Sequence, residues 1–198
     1  MKPKSSLTSV QSDCRLTWQR RISNHEEYLI FFVMLLPLIA NAAWIDSNGK
    51  TIPDTESMRS DGDFGAQIVL APDDKHFRQI WNSTKDTPNL QSTDSVKLGA
   101  SISAVLIFHG CTPNPTGSCD VVSEFFLQSP DGKQTPAGSG PVWSSAPLQK
   151  GLLQLGLASV AIGFDSTDPI GDYKIIAKVK DKNSGRSLTL IARFSVIK

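Results

Sequence analysis

Tyr173-Lys174-Ile175-Ile176-Ala177-Lys178-Val179-Lys180 is the stretch whose reading decides the fold of this chain. Tyr173, Ile175, Ala177 and Val179 alternate with Lys174, Lys178 and Lys180, a period of two that makes one face apolar and the other basic. Such a segment is a strand half buried on a sheet. Asp181-Lys182-Asn183-Ser184-Gly185-Arg186 supplies a turn, with Gly185 available for positive φ. Beyond it, Leu188, Leu190, Ala192, Phe194 and Val196 alternate with Thr189, Arg193 and Ser195, so the two segments form a hairpin.

Working outward, Leu152 to Phe164 reads as another strand, interrupted by Gly156 and Gly163. The link from Asp165 to Tyr173 holds Pro169 and Gly171 just before the tyrosine. This resembles the tyrosine corner of immunoglobulin-like sandwiches, and the resemblance implies that the Tyr173 hydroxyl bonds back to the preceding backbone. Further strands are expected at Ala100 to Phe108 and at Val121 to Ser129, the latter ending at Pro130-Asp131-Gly132. Gln67 to Leu70 and His76 to Trp81 flank Pro72-Asp73-Asp74-Lys75 as a first hairpin, with Trp81 in the core. Leu148 to Leu157 has some helical character, which Gly151 and Gly156 weaken, so helices should be short or absent. The expected class is all-β: an immunoglobulin-like antiparallel β-sandwich of about seven strands, after an N-terminal signal peptide.

That signal is read from Tyr28 to Ala43, an apolar run ending in Ala40-Asn41-Ala42 and preceded by Arg15, Arg20 and Arg21. The run falls short of the roughly 20 apolar residues of a spanning helix, so cleavage between Ala42 and Ala43 is expected over a retained anchor. Glu26 and Glu27 stand where positive charge is usual, and the n-region is long, which fits a start codon downstream of Met1. The organisation is then residues 1–42 as signal peptide, 43–62 as a polar lead-in and 63–198 as the sandwich domain. A second loose stretch, Gly132 to Pro147, is read as a long loop carrying Trp143.

The full chain has a formal net charge of +1, and without residues 1–42 the signs still balance to within one charge. This leaves no footprint for nucleic acid. Cys14 departs with the signal, and Cys111 and Cys119 remain as an even pair in an exported domain, which reads as a disulfide. The pair brackets Thr112-Pro113-Asn114-Pro115-Thr116-Gly117-Ser118, a run of turn formers. Metal ligation is the sharper alternative, because His109 lies two residues before Cys111, but it needs more donors than the neighbourhood offers.

There is no Gly-x-Ser-x-Gly elbow, phosphate loop or His-Glu-x-x-His helix. After processing only His76 and His109 remain as histidines. No enzyme activity and no cofactor are therefore expected. Asp46-Ser47-Asn48-Gly49 is only superficially like a calcium loop: its Gly comes too early and no Glu closes the register. Trp44 and Trp143 are read two ways, as aromatics marking a binding surface or as covers for an end of the sandwich.

From about Val96 to Ile197 the chain resembles bacterial extracytoplasmic immunoglobulin-like domains, on the strength of Gly171-Asp172-Tyr173 and the Asp181, Ser184-Gly185 hairpin. That resemblance implies a periplasmic or secreted, non-catalytic binding or accessory domain. Its expected partner is a protein or glycan of the cell envelope, with Trp143, Asn114 and Trp44 as the candidate surface and no stable membrane span after processing. Two alternatives stand beside it. One is a structural or assembly component whose edge strand pairs with another subunit. The other is a protease inhibitor, because Asn114-Pro115-Thr116-Gly117 resembles part of the chagasin-type motif, with Gly138-Ser139-Gly140 as a second loop. The Asn183-Ser184-Gly185 hairpin lacks the Arg-Pro-Trp that such an inhibitor carries in its third loop.

Overall fold

The computed structural model describes residues 44–45, 48–83, 90–147 and 152–198. The signal peptide and its Ala42–Ala43 cleavage site lie outside the described residues. Among the described residues, eleven strands and one helix occur in the order β1 (Trp44–Ile45), β2 (Thr51–Ile52), β3 (Met58–Asp61), β4 (Phe64–Ala71), α1 (Asp74–Ser83), β5 (Ser95–Lys97), β6 (Ser101–His109), β7 (Val121–Gln128), β8 (Gln134–Trp143), β9 (Gln154–Gly163), β10 (Gly171–Asp181) and β11 (Ser187–Ile197). Seven of these are long: β4 and β6 to β11. They form an immunoglobulin-like sandwich of two sheets, ordered β3-β4-β6-β9 and β5-β11-β10-β7-β8. Pairing is antiparallel except at β5, which lies parallel to β11.

The quoted stretch behaves as its period requires. Tyr173, Ile175, Ala177 and Val179 are buried, while Lys178 and Lys180 are exposed. They meet Leu188, Leu190, Ala192 and Phe194 from β11 and Ala104, Leu106 and Phe108 from β6 in one continuous core. Every fully buried large side chain in that core is apolar, so burial at about 25 cal/mol per Å² is the main force closing the two sheets.

Two readings are corrected, and one weak helical alternative is set aside. Residues 76–81 are not a strand: Asp74–Ser83 is an α-helix, because Phe77, Ile80 and Trp81 recur at three- and four-residue spacing. Asp73 caps it, its Oδ1 accepting from His76 N at 3.1 Å. Trp81 accordingly packs half-buried with Phe77, Val105, Ile107 and Leu155 in a satellite cluster on the outer face of the four-stranded sheet. Gly132 to Pro147 is largely strand β8, not loop; its Gly138, Gly140, Pro136 and Pro141 are tolerated because β8 is an edge. The helical character read between Leu148 and Leu157 is absent from the described part of that segment, since Gln154–Gly163 is β9.

At the β9 edge the ladder slips, with Val105 opposite Ser159 but Ile107 opposite Leu155. The bulge frees carbonyls, and Arg78 takes them: its Nη1 donates to Gly156 O at 2.9 Å and its Nη2 to Leu157 O at 3.3 Å. Asp74 holds that guanidinium at 2.9 Å and accepts from Ser159 Oγ at 3.0 Å. The helix is thus pinned across an edge that would otherwise present unpaired backbone. Segment 55–57 lies on the other side of the molecule, where Glu56 O accepts from Ile191 N at 2.7 Å and Ser57 O accepts from Ile68 N at 2.8 Å. The chain thereby crosses from one sheet to the other just before β3.

Candidate functional site

The candidate residues gather at one end of the sandwich, where β6 leaves for β7, β8 ends and β10 turns into β11. Cys111 and Cys119 are joined, with Cα atoms 6.0 Å apart, and both are buried. Between them Pro113, Pro115, Thr116 and Gly117 are exposed. Gly110 begins the loop with φ 71°, and a Cβ there would collide with Asp63 O, so only glycine admits the approach of the β3–β4 turn.

Asn114 organises the loop from within. Its Oδ1 accepts from Thr116 N at 3.0 Å, Thr116 Oγ1 at 2.7 Å and Ser118 N at 3.0 Å. An acceptor so engaged shapes the turn. Asn114 itself is half-buried at the base of that exposed tip.

The β10–β11 turn braces the loop from outside. Asp181, fully buried, accepts from Thr112 N at 2.9 Å, Ser184 Oγ at 2.7 Å and Asn183 N at 3.1 Å. Asn183 Nδ2 donates to Thr112 O at 2.8 Å and Ser118 O at 3.0 Å. Two turns distant in sequence are thereby locked to each other. Sequence reading took Asp181 and Asn183 as turn formers only; their residue types signal side chain to backbone bonding, but the partner loop is set by the tertiary fold.

Trp44 is buried, not displayed: its ring meets the His109 imidazole edge-on at 4.8 Å and its Nε1 reaches Arg59 O at 3.4 Å. The polar segment around it carries no core of its own, so Trp44 borrows one. The imidazole lies so close over Gly65 that a Cβ there would collide with its Nε2. Burial pushes the His109 pKa below the ordinary histidine range, an effect partly offset by its bond to the Asp63 backbone. Trp143 ends β8, half-buried, its ring 6.0 Å from Phe108 and its Nε1 donating to Ala146 O at 3.1 Å. It covers the end of the core. Among the described residues no group of three or more His, Cys, Asp or Glu side chains could hold a metal ion.

Tyr173 stands at the opposite end. Its hydroxyl donates to Pro169 O at 2.9 Å, and its ring is packed by Phe164 and Phe194 at 5.2 and 5.7 Å. Burial raises its phenol pKa.

An immunoglobulin-like sandwich with one end pinned by a disulfide is the class that fold and site define. No family model and no curated protein matches this chain. Among solved structures it is similar to a Niemann-Pick type C2 protein from the Japanese carpenter ant, at 12% identity over 66% of this chain and 89% of that one, with a TM-score of 0.38. It is also similar to a CARDB domain from Pyrococcus furiosus, at 11% identity over 74% and 100% with a TM-score of 0.40. A family 123 glycoside hydrolase from Clostridium perfringens matches at 12% over 69% of this chain, with a TM-score of 0.37, and there the chain spans only 27% of the other's length. These likenesses carry no argument about function, and the fold assignment rests on strand order and corner geometry.

Proposed function

We propose that this protein is a non-catalytic, exported binding or accessory domain that presents the Cys111–Cys119 loop to a protein or glycan of the cell envelope. The observation that carries this reading is a loop with an exposed tip and a fixed base. Disulfide, Asn114, Asp181 and Asn183 together hold it in one shape, so little ordering remains to oppose binding. The disulfide belongs to an oxidising compartment, which supports a periplasmic or secreted location alongside the signal read at residues 1–42. No helix among the described residues is long and apolar enough to cross a membrane.

The polar groups at this end favour a binding role over a catalytic one, because they are spent on backbone and His109 is wedged between Trp44 and Gly65. Assembly by edge pairing is the weaker reading. The β9 edge is capped by Arg78, β8 carries Pro136 and Pro141, and the other two edges are only 4 and 3 residues long. The inhibitor reading weakens too, since Gly138-Ser139-Gly140 lies inside β8.

The test is retention of envelope components on immobilised protein, comparing wild type with a Pro113→Arg/Pro115→Arg variant of equal melting temperature. Components retained by wild type and lost from the variant are expected, and equal retention by both overturns the reading. Turnover of an envelope substrate that disappears in His109→Gln would overturn the non-catalytic part.

A further inference from the structure

The outer face of the five-stranded sheet carries a second feature, on a different surface from the loop. A depression of about 240 Å³ opens where β7, β10 and β11 run side by side, bordered by Val122, Glu124, Lys178, Lys180, Ser187 and Thr189. Register places these side chains together: Lys178 lies between Glu124 and Thr189, and Lys180 between Val122 and Ser187. All alternate outward from the buried Val179, Ser123 and Leu188.

The charges here are not spent on one another. Lys178 leans its ammonium over the Phe126 ring, 5.0 Å from the centroid, and among the described residues neither Lys178, Lys180 nor Glu124 is in an ion pair. By contrast Arg193, further along the same face, is held by Glu56 at 2.8 Å. The depression thus offers the Lys180 ammonium, one carboxylate and two hydroxyls around an apolar floor of Val122 and lysine stems, with the Lys178 ammonium at its rim beside Phe126.

We infer that this depression binds an acidic sugar residue, a pyranose ring carrying a carboxylate, within an anionic polysaccharide. The Lys180 ammonium takes the sugar carboxylate, joined by Lys178 as it swings in from Phe126, while Glu124 accepts ring hydroxyl hydrogens, Ser187 and Thr189 complete the hydroxyl contacts, and the C–H face of the ring lies on Val122. The volume is below the roughly 300–1,000 Å³ of drug-sized sites, so one ring at a time is accommodated. Glu124 is what favours a sugar over a densely charged polyanion: it repels consecutive phosphates or glutamates, but bonds well to hydroxyls spaced between carboxylates.

The probes are galacturonate oligomers, with neutral dextran oligomers of equal length and poly-glutamate as comparisons, titrated by calorimetry against the purified protein. Saturable binding of the galacturonate oligomer is expected, weakened about tenfold or more by Lys178→Ala/Lys180→Ala and by raised salt. Glu124→Gln should weaken the oligogalacturonate while improving poly-glutamate. Because all three side chains are exposed, the variants are checked for an unchanged melting temperature. No saturable binding, equal affinity for dextran, tighter binding of poly-glutamate by wild type, or full affinity in the double lysine variant would each overturn the inference. No residue of the Cys111–Cys119 loop borders this depression, so failure here leaves the loop reading standing.

Discussion

The two ends of the sandwich solve one problem, the satisfaction of turn backbone beside a dry core, by different chemistry. At the disulfide end a covalent bond and the buried Asp181 carboxylate hold two loops together. At the corner end three aromatic rings pack and a single hydroxyl closes the turn, while Asp165 and Asp131 shape their own surface turns, accepting from Thr167 N at 2.7 Å and Lys133 N at 3.0 Å. One end therefore depends on redox state and on a polar network, whereas the other depends mainly on apolar packing, with one hydroxyl bond. A loop that must hold one shape is better built at the first.

The sharpest way to break this contrast is Asp181→Ala. It takes the acceptor from Thr112 N, Asn183 N and Ser184 Oγ at a part-buried site and leaves a gap where the buried carboxylate stood, so a loss of about 2–4 kcal/mol is expected in urea unfolding. A loss below about 1 kcal/mol would mean that water replaces the carboxylate and that the network is not the brace described. Reduction of Cys111–Cys119 should cost about 2.5 kcal/mol, the loop-closure value for so short a ring. Hydrogen exchange should then quicken at residues 112–118 and leave 171–175 unchanged; equal loosening at both ends would show that they are not independent.

Tyr173→Phe comes next. The ring is only 3% exposed but its hydroxyl reaches the rim, where water can approach Pro169 O, so about 0.5–1.5 kcal/mol is expected in the same unfolding assay. Lys174→Ala, one residue on and facing outward, should stay within about 0.5 kcal/mol. Equal effects would place the register of β10 in error.

The smallest effect belongs to His109. Its folded pKa lies below the ordinary value, so as pH falls below about 6.5 the unfolded chain takes up the proton first and stability is lost. The loss proceeds through the window down to the depressed folded pKa and then levels. His109→Gln should flatten melting temperature against pH in that window, and an unchanged slope would assign it to other groups.

Period and turn chemistry made the β10–β11 hairpin, the Tyr173 corner and the disulfide loop legible, because each is written in local residues. The helix is hard to read from sequence, since Phe77, Ile80 and Trp81 are too few to establish a 3.6-residue period against alternation, although Asp73 is its cap. Strand β8 is hidden in the sequence for the opposite reason: glycine and proline are poor strand formers, and pairing with β7 makes Gln134–Trp143 extended. Trp44 reads from sequence as either a binding aromatic or a cover, and its contact with His109 decides for the cover, while the bonds by which Asn114 shapes its own loop are not visible in local sequence. No local pattern carries those facts, which depend on partners far along the chain.

The crossing described at residues 55–57 and the parallel pairing of β5 share a single seam, β11, the last strand in the sequence. Glu56 O waits for Ile191 N, and Asp94 O for Ser195 N. Until β11 is in place both segments lack those backbone partners. Contacts so remote in sequence require large loops to close before they reward the chain, so a seam of this kind forms slowly and late in folding.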